Sequence, residues 1–309
     1  MAHYTRMTPA ETQFLLSQYD LGQCDEPCPL DGGQANSSYK VTTLNDAFIL
    51  SVCDEKNVQE IDILTNFLAY LEENGFPSSR VIKNRQGGLY ITHGGVPVYL
   101  KRFIQGRVVQ TLSPKMVYQV GKELATLHSL QPIEGMPQAF SYGFQAMDEL
   151  LGLDLDYPYL AWLREKKTFL EKSIDQTMKQ GLIHGDLFWD NLVFDGETLA
   201  AVLDFEEACC YYLLFDLGMC AVGCCSEKGG FVPDLIRSLV RGYEQARQLS
   251  DKERGQFGYF MEYAAVATSL WRFRQYNIRR PDPDRADSYQ EMSSLADQAR
   301  IMDCRLFFD

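Results

Sequence analysis

The spacing of apolar positions changes character near residue 105. Ahead of that point, short apolar stretches alternate with polar residues between glycine-bearing turns. Residues 38–43 and 47–52 read as strands joined at Asn45-Asp46, and residues 80–84, 89–92 and 96–103 as strands separated by Gly87-Gly88 and Gly94-Gly95. Together these predict an antiparallel sheet of about five strands. Thr8-Pro9-Ala10-Glu11 carries a cap, a proline at the first helical position and a glutamate at the third, so a short helix, a peripheral strut, runs to about Ser17. Ile61, Leu64, Phe67, Leu68 and Leu71 recur at helical spacing and predict a helix over 58–73 that stops at Gly75.

Beyond residue 105 the pattern turns helical. Helices are expected over 113–128, 159–178, 235–248 and 251–277. A last one begins at about 287, after the turn Pro281-Asp282-Pro283-Asp284. The chain therefore divides into a small N-terminal lobe over 1–104 and a mainly helical lobe over 105–309, an α+β architecture with no internal repeat.

One segment carries chemistry. His184-Gly185-Asp186-Leu187-Phe188-Trp189-Asp190-Asn191 is followed by apolar residues 192–194, the turn Asp195-Gly196-Glu197, a second apolar run to Leu203, and Asp204-Phe205-Glu206. Phosphoryl transfer asks a protein mainly for positioning and charge neutralisation. Asp186 fits the carboxylate that accepts the proton of an attacking hydroxyl. Asn191 and Asp204 fit the oxygen donors that hold one or two hard cations against ATP phosphates. His184 suits orienting the loop rather than moving protons. The conjunction of His-x-Asp-x4-Asn, an apolar hairpin and Asp-Phe is far more specific than any of its parts.

Composition narrows the setting. With 46% hydrophobic and 23% charged residues the chain is globular, and no apolar run approaches the ~20 residues that span a bilayer. No membrane is expected to be involved, and the absence of a basic flank before an apolar core points to the cytoplasm. Among the nine cysteines, Cys209, Cys210, Cys220, Cys224 and Cys225 cluster in apolar sequence and are expected reduced and packed. The formal charge of -13 argues against a nucleic-acid partner, and an acidic pocket would favour an amine-bearing acceptor.

The string LIHGDLFWDNLVFDGETLAAVLDFEEACCYYLLFDLG resembles the aminoglycoside-phosphotransferase and choline-kinase-like enzymes, and within them is most similar to the homoserine kinases of that fold. Similarity extends over Gly121-Lys122-Glu123-Leu124-Ala125-Thr126-Leu127-His128 and Leu239-Val240-Arg241-Gly242-Tyr243-Glu244, from about Gly33 to Asn277. The resemblance implies a bilobal protein-kinase-like fold, ATP and Mg2+ as cofactors, Asp186 as base, and Asn191 and Asp204 as metal ligands. It implies a small-molecule hydroxyl acceptor, homoserine or a related amino-alcohol. Choline, ethanolamine, an aminoglycoside or a protein serine are alternative acceptors, and a nucleotide-binding regulatory pseudokinase is a reading of another class. The loop 32–38, with Gly33 and Ser38, falls where phosphate-covering loops lie, and adenine is expected near the backbone of Lys101, Arg102 and Phe103. Ser51 stands where kinases place a strand lysine. Homoserine kinases of this type often lack that lysine, and Lys40, Lys56 or Arg102 are candidates to replace its charge. Glu206 or Glu207 would pair with a substrate ammonium, and Arg272 or Arg274, beside Trp271, with a carboxylate. The alternative is an exposed acidic turn and a helix-surface arginine pair. Trp271 is expected in the core, His128 as a packed structural histidine, and Asp216 as a helix cap that braces the catalytic loop.

Overall fold

The structure is a computed structural model that describes residues 7–30 and 37–308. Two compact units divide the chain, Met1–Arg107 with Ala200–Leu203, and Val108–Leu199 with Asp204–Asp309.

The first unit is built on an antiparallel sheet. Its strands are β1 (Cys28–Leu30), β2 (Ser37–Thr42), β3 (Ala47–Val52), β4 (Val81–Ile82), β5 (Ile91–His93) and β6 (Val96–Arg102), and β7 (Arg107–Val108) follows at its end. The six run in the order β1-β2-β3-β6-β4, with β5 also on β6, one more strand than the alternation predicts because β1 is too short to show a period. Strand alternation sorts the residues onto two faces. Tyr39, Val41, Phe48, Leu50, Val52, Val98 and Leu100 form a core with Leu15, Leu16 and Tyr19. Helix α1 (Pro9–Leu16), closed by a Thr8–Glu11 capping box, therefore packs into this core and is no peripheral strut. On the other face the register aligns Ser38 with Ser51 and Tyr99, and Lys40 with Ile49 and Lys101. Helix α2 (Val58–Glu73) begins at an Asn57–Glu60 capping box and buries the apolar stripe its spacing predicts.

In the second unit α3 (Pro114–Leu127), α4 (Phe144–Leu151), α5 (Pro158–Ser173), α6 (Leu213–Cys224), α7 (Pro233–Glu244), α8 (Asp251–Phe273) and α9 (Tyr289–Ile301) surround short strands. Strand β8 (Gln180–Ile183) leads into the loop 184–191, β9 (Leu192–Asp195) and β10 (Thr198–Val202, of which Ala200–Val202 belong to the first unit) form the hairpin, and β11 (Cys209–Tyr212) follows Asp204. Every residue of α6 is buried. A helix apolar on all sides shows no stripe, so its period is silent in the sequence. Gly223 lets α6 press onto the loop, because a Cβ there would lie 2.8 Å from the Leu187 carbonyl oxygen and 2.6 Å from the Phe188 ring. The helix expected over 251–277 leaves α-geometry at Phe273 and ends as a π-turn, Arg274–Arg279. Those expected over 159–178 and 235–248 stop at Ser173 and Glu244. The cysteines are free thiols, with Cys209, Cys220, Cys224 and Cys225 buried and Cys210 half-buried. Among the described residues no helix is long and apolar enough to cross a membrane.

Candidate active site

Strand register assembles the site. In the antiparallel pair β8–β11, Ile183 faces Cys209 and Leu182 faces Cys210. Continued past the strand ends, that register sets Gly185 opposite Glu207, and it brings the loop carrying Asp186 beside the segment 204–208. The approach is tight. A Cβ on Gly185 would lie 2.7 Å from the Glu207 carbonyl oxygen, and the residue has φ +85°, so glycine is required on both steric and conformational grounds.

Asp216, in the first turn of α6, holds the loop in place. Its Oδ2 accepts the His184 backbone N–H at 2.7 Å, and its Oδ1 accepts the Gly185 N–H at 2.9 Å. Bracing is thus as expected, but Asp216 is not the cap of its helix, a position Tyr212 occupies. His128 Nε2 lies 3.1 Å from Asp216 Oδ2, and His128 Nδ1 lies 2.7 Å from the Tyr243 hydroxyl. Burial pushes His128 down and would push Asp216 up, but the hydrogen bond and charge of His128 and the His184 amide leave Asp216 below its ordinary value. A neutral imidazole donating Nε2–H to an ionised Asp216, and accepting the Tyr243 O–H, satisfies every group in this buried chain. We expect Asp216→Asn to cost about 3 kcal/mol, since one amide oxygen cannot accept both loop N–H groups and its NH2 would face a donor. Urea unfolding checks this, and an unchanged midpoint would count against the brace.

His184 is buried, and its Nδ1 accepts the Asp186 N–H at 3.2 Å while its ring lies 4.6 Å from that of Phe205. This is the orienting role assigned to it. A 3-10 turn, Trp189–Asn191, then folds Asn191 back so that its Nδ2 donates to the Asp186 carbonyl at 2.8 Å. With the amide nitrogen committed, Oδ1 is the atom of Asn191 that can serve as an oxygen ligand. Asp204 has φ +59°, a conformation uncommon for any residue but glycine and best tolerated by Asn and Asp. Strain of this kind gathers at functional sites.

The carboxylates crowd one another. Desolvation, followed by the charges of Asp204, Glu207, Asp190 and Asp216, pushes the Asp186 carboxyl up to about 7, although the side chain keeps partial access to solvent. Asp190, although exposed at the surface, is raised by desolvation first and also by Asp204, while Arg272 lowers it. A divalent cation would relieve this concentration of negative charge. Among the described residues no group of three or more His, Cys, Asp or Glu forms a ready metal cage. One carboxylate and one amide oxygen, completed by phosphate and water, are nonetheless the sparse donor set that suits Mg2+. Asn191 and Asp204 therefore fit the cation.

The remaining candidates fall as follows. Glu206 and Glu207 are half-buried directly after the bend at Asp204. Arg272 donates to the Ser288 carbonyl at 3.0 Å and to Glu291 at 2.7 Å, whereas Arg274 stands 3.9 Å from Glu149. Trp271 is half-buried rather than core, and its ring stands edge-on to that of Tyr276, 5.9 Å between centroids. In the first unit Gly33 lies outside the described residues, and Ser38 and the buried Ser51 are cross-strand neighbours. Lys101 Nζ sits 5.6 Å over the Tyr99 ring, Lys40 Nζ 4.3 Å over that of Phe103, and Arg102 pairs with Asp46 at 3.1 Å. Tyr142, whose ring stands edge-on to that of Phe140 beside Gly185, is a neighbour of the site that no motif announces.

Comparison with known proteins places the chain among kinase-like sequences and folds. The homoserine kinase of Zymomonas mobilis is 27% identical over 297 residues, covering 91% of each chain. The structure of a microcompartment-associated aminopropanol kinase superposes with a TM-score of 0.71 at 18% identity, covering 94% of this chain and 95% of that one. That of the amicoumacin kinase hAmiN, in complex with AMP-PNP, Ca2+ and amicoumacin, gives 0.73 at 13% identity, covering 93% and 92%. These structural likenesses establish a protein-kinase-like α+β fold with its antiparallel sheet N-terminal and its helices C-terminal. The sequence profile of the phosphotransferase enzyme family matches residues 26–250, the span that holds the braced loop and both proposed cation ligands, and the chain belongs to that family.

Proposed function

We propose that the protein is an ATP-dependent small-molecule kinase that transfers the γ-phosphoryl group to the hydroxyl of homoserine. The observation that carries this reading is the loop geometry: Asp186 is fixed through its backbone by His184, Gly185 and Asp216, beside Asp204 and Asn191. Support for the acceptor comes from the name of the Zymomonas mobilis relative, whose likeness runs over nine-tenths of the chain.

In this reading the first unit is the nucleotide-binding lobe. The sheet face of Ser38, Ser51 and Ile49 also carries Lys40 and Lys101, whose ammonium groups supply the phosphate-facing charge that Ser51 lacks. Arg102, held by Asp46, is not required. Gly33 belongs to the phosphate-covering loop, and the backbone of Lys101, Arg102 and Phe103 takes the adenine. Asn191 and Asp204 would hold Mg2+, which would neutralise phosphate charge there. Asp186 accepts the proton of the acceptor hydroxyl as its oxygen bonds to phosphorus and the bond to ADP breaks. The acidic wall of Glu206 and Glu207 favours an ammonium on the acceptor.

The test is ADP release across homoserine, choline, ethanolamine, an aminoglycoside and a protein serine, with 31P NMR of the product. Turnover with homoserine, giving an O-phosphate ester, is expected. Turnover only with another acceptor would overturn the substrate, and tight ATP binding without any turnover would point to a regulatory nucleotide-binding protein.

A further inference from the structure

Between α3 and α4, residues 129–143 form no helix or strand, yet they run beside the loop 184–191. A Cβ on Gly185 would meet Phe140 Cε2 at 3.2 Å as well as the Glu207 carbonyl at 2.7 Å. Phe140 and Glu207 therefore close on the same glycine, one residue before Asp186. The half-buried Tyr142 ring stands edge-on to Phe140, 6.1 Å between centroids. A segment without a ladder of its own holds a position only through tethers to its neighbours. One tether comes from β11, where the Cys210 N–H donates to the Pro137 carbonyl at 2.8 Å.

The other is a pair of tyrosines. The Phe144 N–H, at the start of α4, has no intrahelical partner, and Gly143 offers no side chain to cap it. Tyr263 of α8 takes its place: the hydroxyl oxygen accepts the Phe144 N–H at 3.0 Å, and the ring stacks on that of Phe144 at 4.4 Å. Tyr263 is fully buried, so its own proton needs an acceptor. Among the described residues the Tyr211 oxygen, 2.7 Å away on β11, is the one that can receive it. Donation thus runs from Phe144 to Tyr263 to Tyr211, and the half-buried Tyr211 keeps a proton for solvent. Gly143 fits against both hydroxyls because it lacks a Cβ, which would lie 3.1 Å from that of Tyr263, 3.4 Å from that of Tyr211 and 3.2 Å from the Phe140 carbonyl oxygen. Its φ of -76° suits any residue, so space alone selects glycine there.

We propose that the turn 140–143 is the acceptor-side wall of the active site, and that Tyr263 and Tyr211 are positioning residues that hold it against Gly185. This rests on the reading above that the acceptor is a small-molecule alcohol. The wall sets where the acceptor sits. Proton transfer stays with Asp186, whose loop is braced separately by Asp216.

Steady-state kinetics with the alcohol that the protein turns over tests this. Tyr263→Phe removes the middle of the chain and should raise KM for that alcohol about tenfold, with kcat within about threefold and KM for ATP unmoved. Tyr211→Phe should act in the same direction but less, because Tyr263 still receives the Phe144 amide. The double variant should match Tyr263→Phe within about twofold, since both hydroxyls act through one chain. Tyr142→Ala trims the wall, leaves the tether, and should also raise KM for the alcohol alone. A role in folding only would lower the active fraction, read as a fall in kcat at constant KM, and that result overturns the proposal. A KM shift in Tyr142→Ala with none in Tyr263→Phe overturns the tether. Should Tyr263→Phe not fold, Tyr211→Phe and Tyr142→Ala decide by the same criteria. Turnover of an alcohol whose KM no variant moves overturns this inference alone, whereas turnover of no alcohol overturns it together with the function on which it rests.

Discussion

Asp186→Asn will lower turnover by a factor of roughly a hundred or more while leaving ATP affinity nearly intact. The amide is close in shape and keeps the loop, because the bonds that fix residue 186 come from its backbone: its N–H donates to His184 Nδ1, and its carbonyl accepts from Asn191. What the substitution removes is the ability to take a proton. Steady-state kinetics with the accepted alcohol gives the answer, and near-normal turnover would remove Asp186 as the base.

The same variant carries a second signature with the opposite sign. Burial and neighbouring carboxylates raise Asp186 to about 7 in the folded protein, from roughly 3.9 in the unfolded chain. A carboxyl raised on folding contributes stability that is fully present below the unfolded value and is lost as pH rises through the folded one. Without divalent cation, the wild-type protein should therefore lose stability between about pH 4 and 7 from this group. Asp186→Asn, which cannot ionise, should melt a few degrees higher at pH 8 and show little difference at pH 4. Melting curves at the two pH values check it, and a variant less stable at pH 8 would contradict the crowding described here.

Asp204→Ala is the second large effect, expected to abolish Mg2+-dependent nucleotide binding. Two losses combine in that variant. The only carboxylate of the proposed cation pair disappears, and alanine is poorly suited to the left-handed backbone at φ +59°. Asp204→Asn separates them, because asparagine tolerates that conformation and keeps an oxygen while losing the charge. It should melt close to the wild type and bind nucleotide more weakly as Mg2+ is withdrawn. Calorimetric titration of ATP with and without Mg2+ reads both variants, and an unchanged Mg2+ dependence in Asp204→Ala would remove it as a ligand.

The parts of this site that were legible in the sequence lie close together along the chain. Asp186, Asn191 and Asp204 fall within one loop and one hairpin, so spacing alone specifies their relation. The amphipathic helices α2 and α3 were legible for a similar reason: each buries a single face and so displays a period. Helix α6 is buried on all sides and shows none, although it carries Asp216, on which the loop depends. Tyr142 was not legible at all: it lies far from the loop in sequence, and only the packing of Phe140 against Gly185, with the Tyr142 ring edge-on to Phe140, brings it near. Trp271, expected in the core, is half-buried, its ring edge-on to that of Tyr276. The extent of the π-turn depends on hydrogen bonding at the end of α8, which apolar periodicity does not encode.

The central claim is that Asn191 and Asp204 hold a divalent cation beside Asp186. Crystals grown with Mn2+ and a non-hydrolysable ATP analogue test it most directly, through an anomalous difference map collected at the manganese edge. The account predicts a peak at a metal–oxygen bonding distance of roughly 2.1 Å from an Asp204 carboxylate oxygen and from Asn191 Oδ1. Manganese held by the phosphates alone, or by carboxylates away from these two residues, would contradict it.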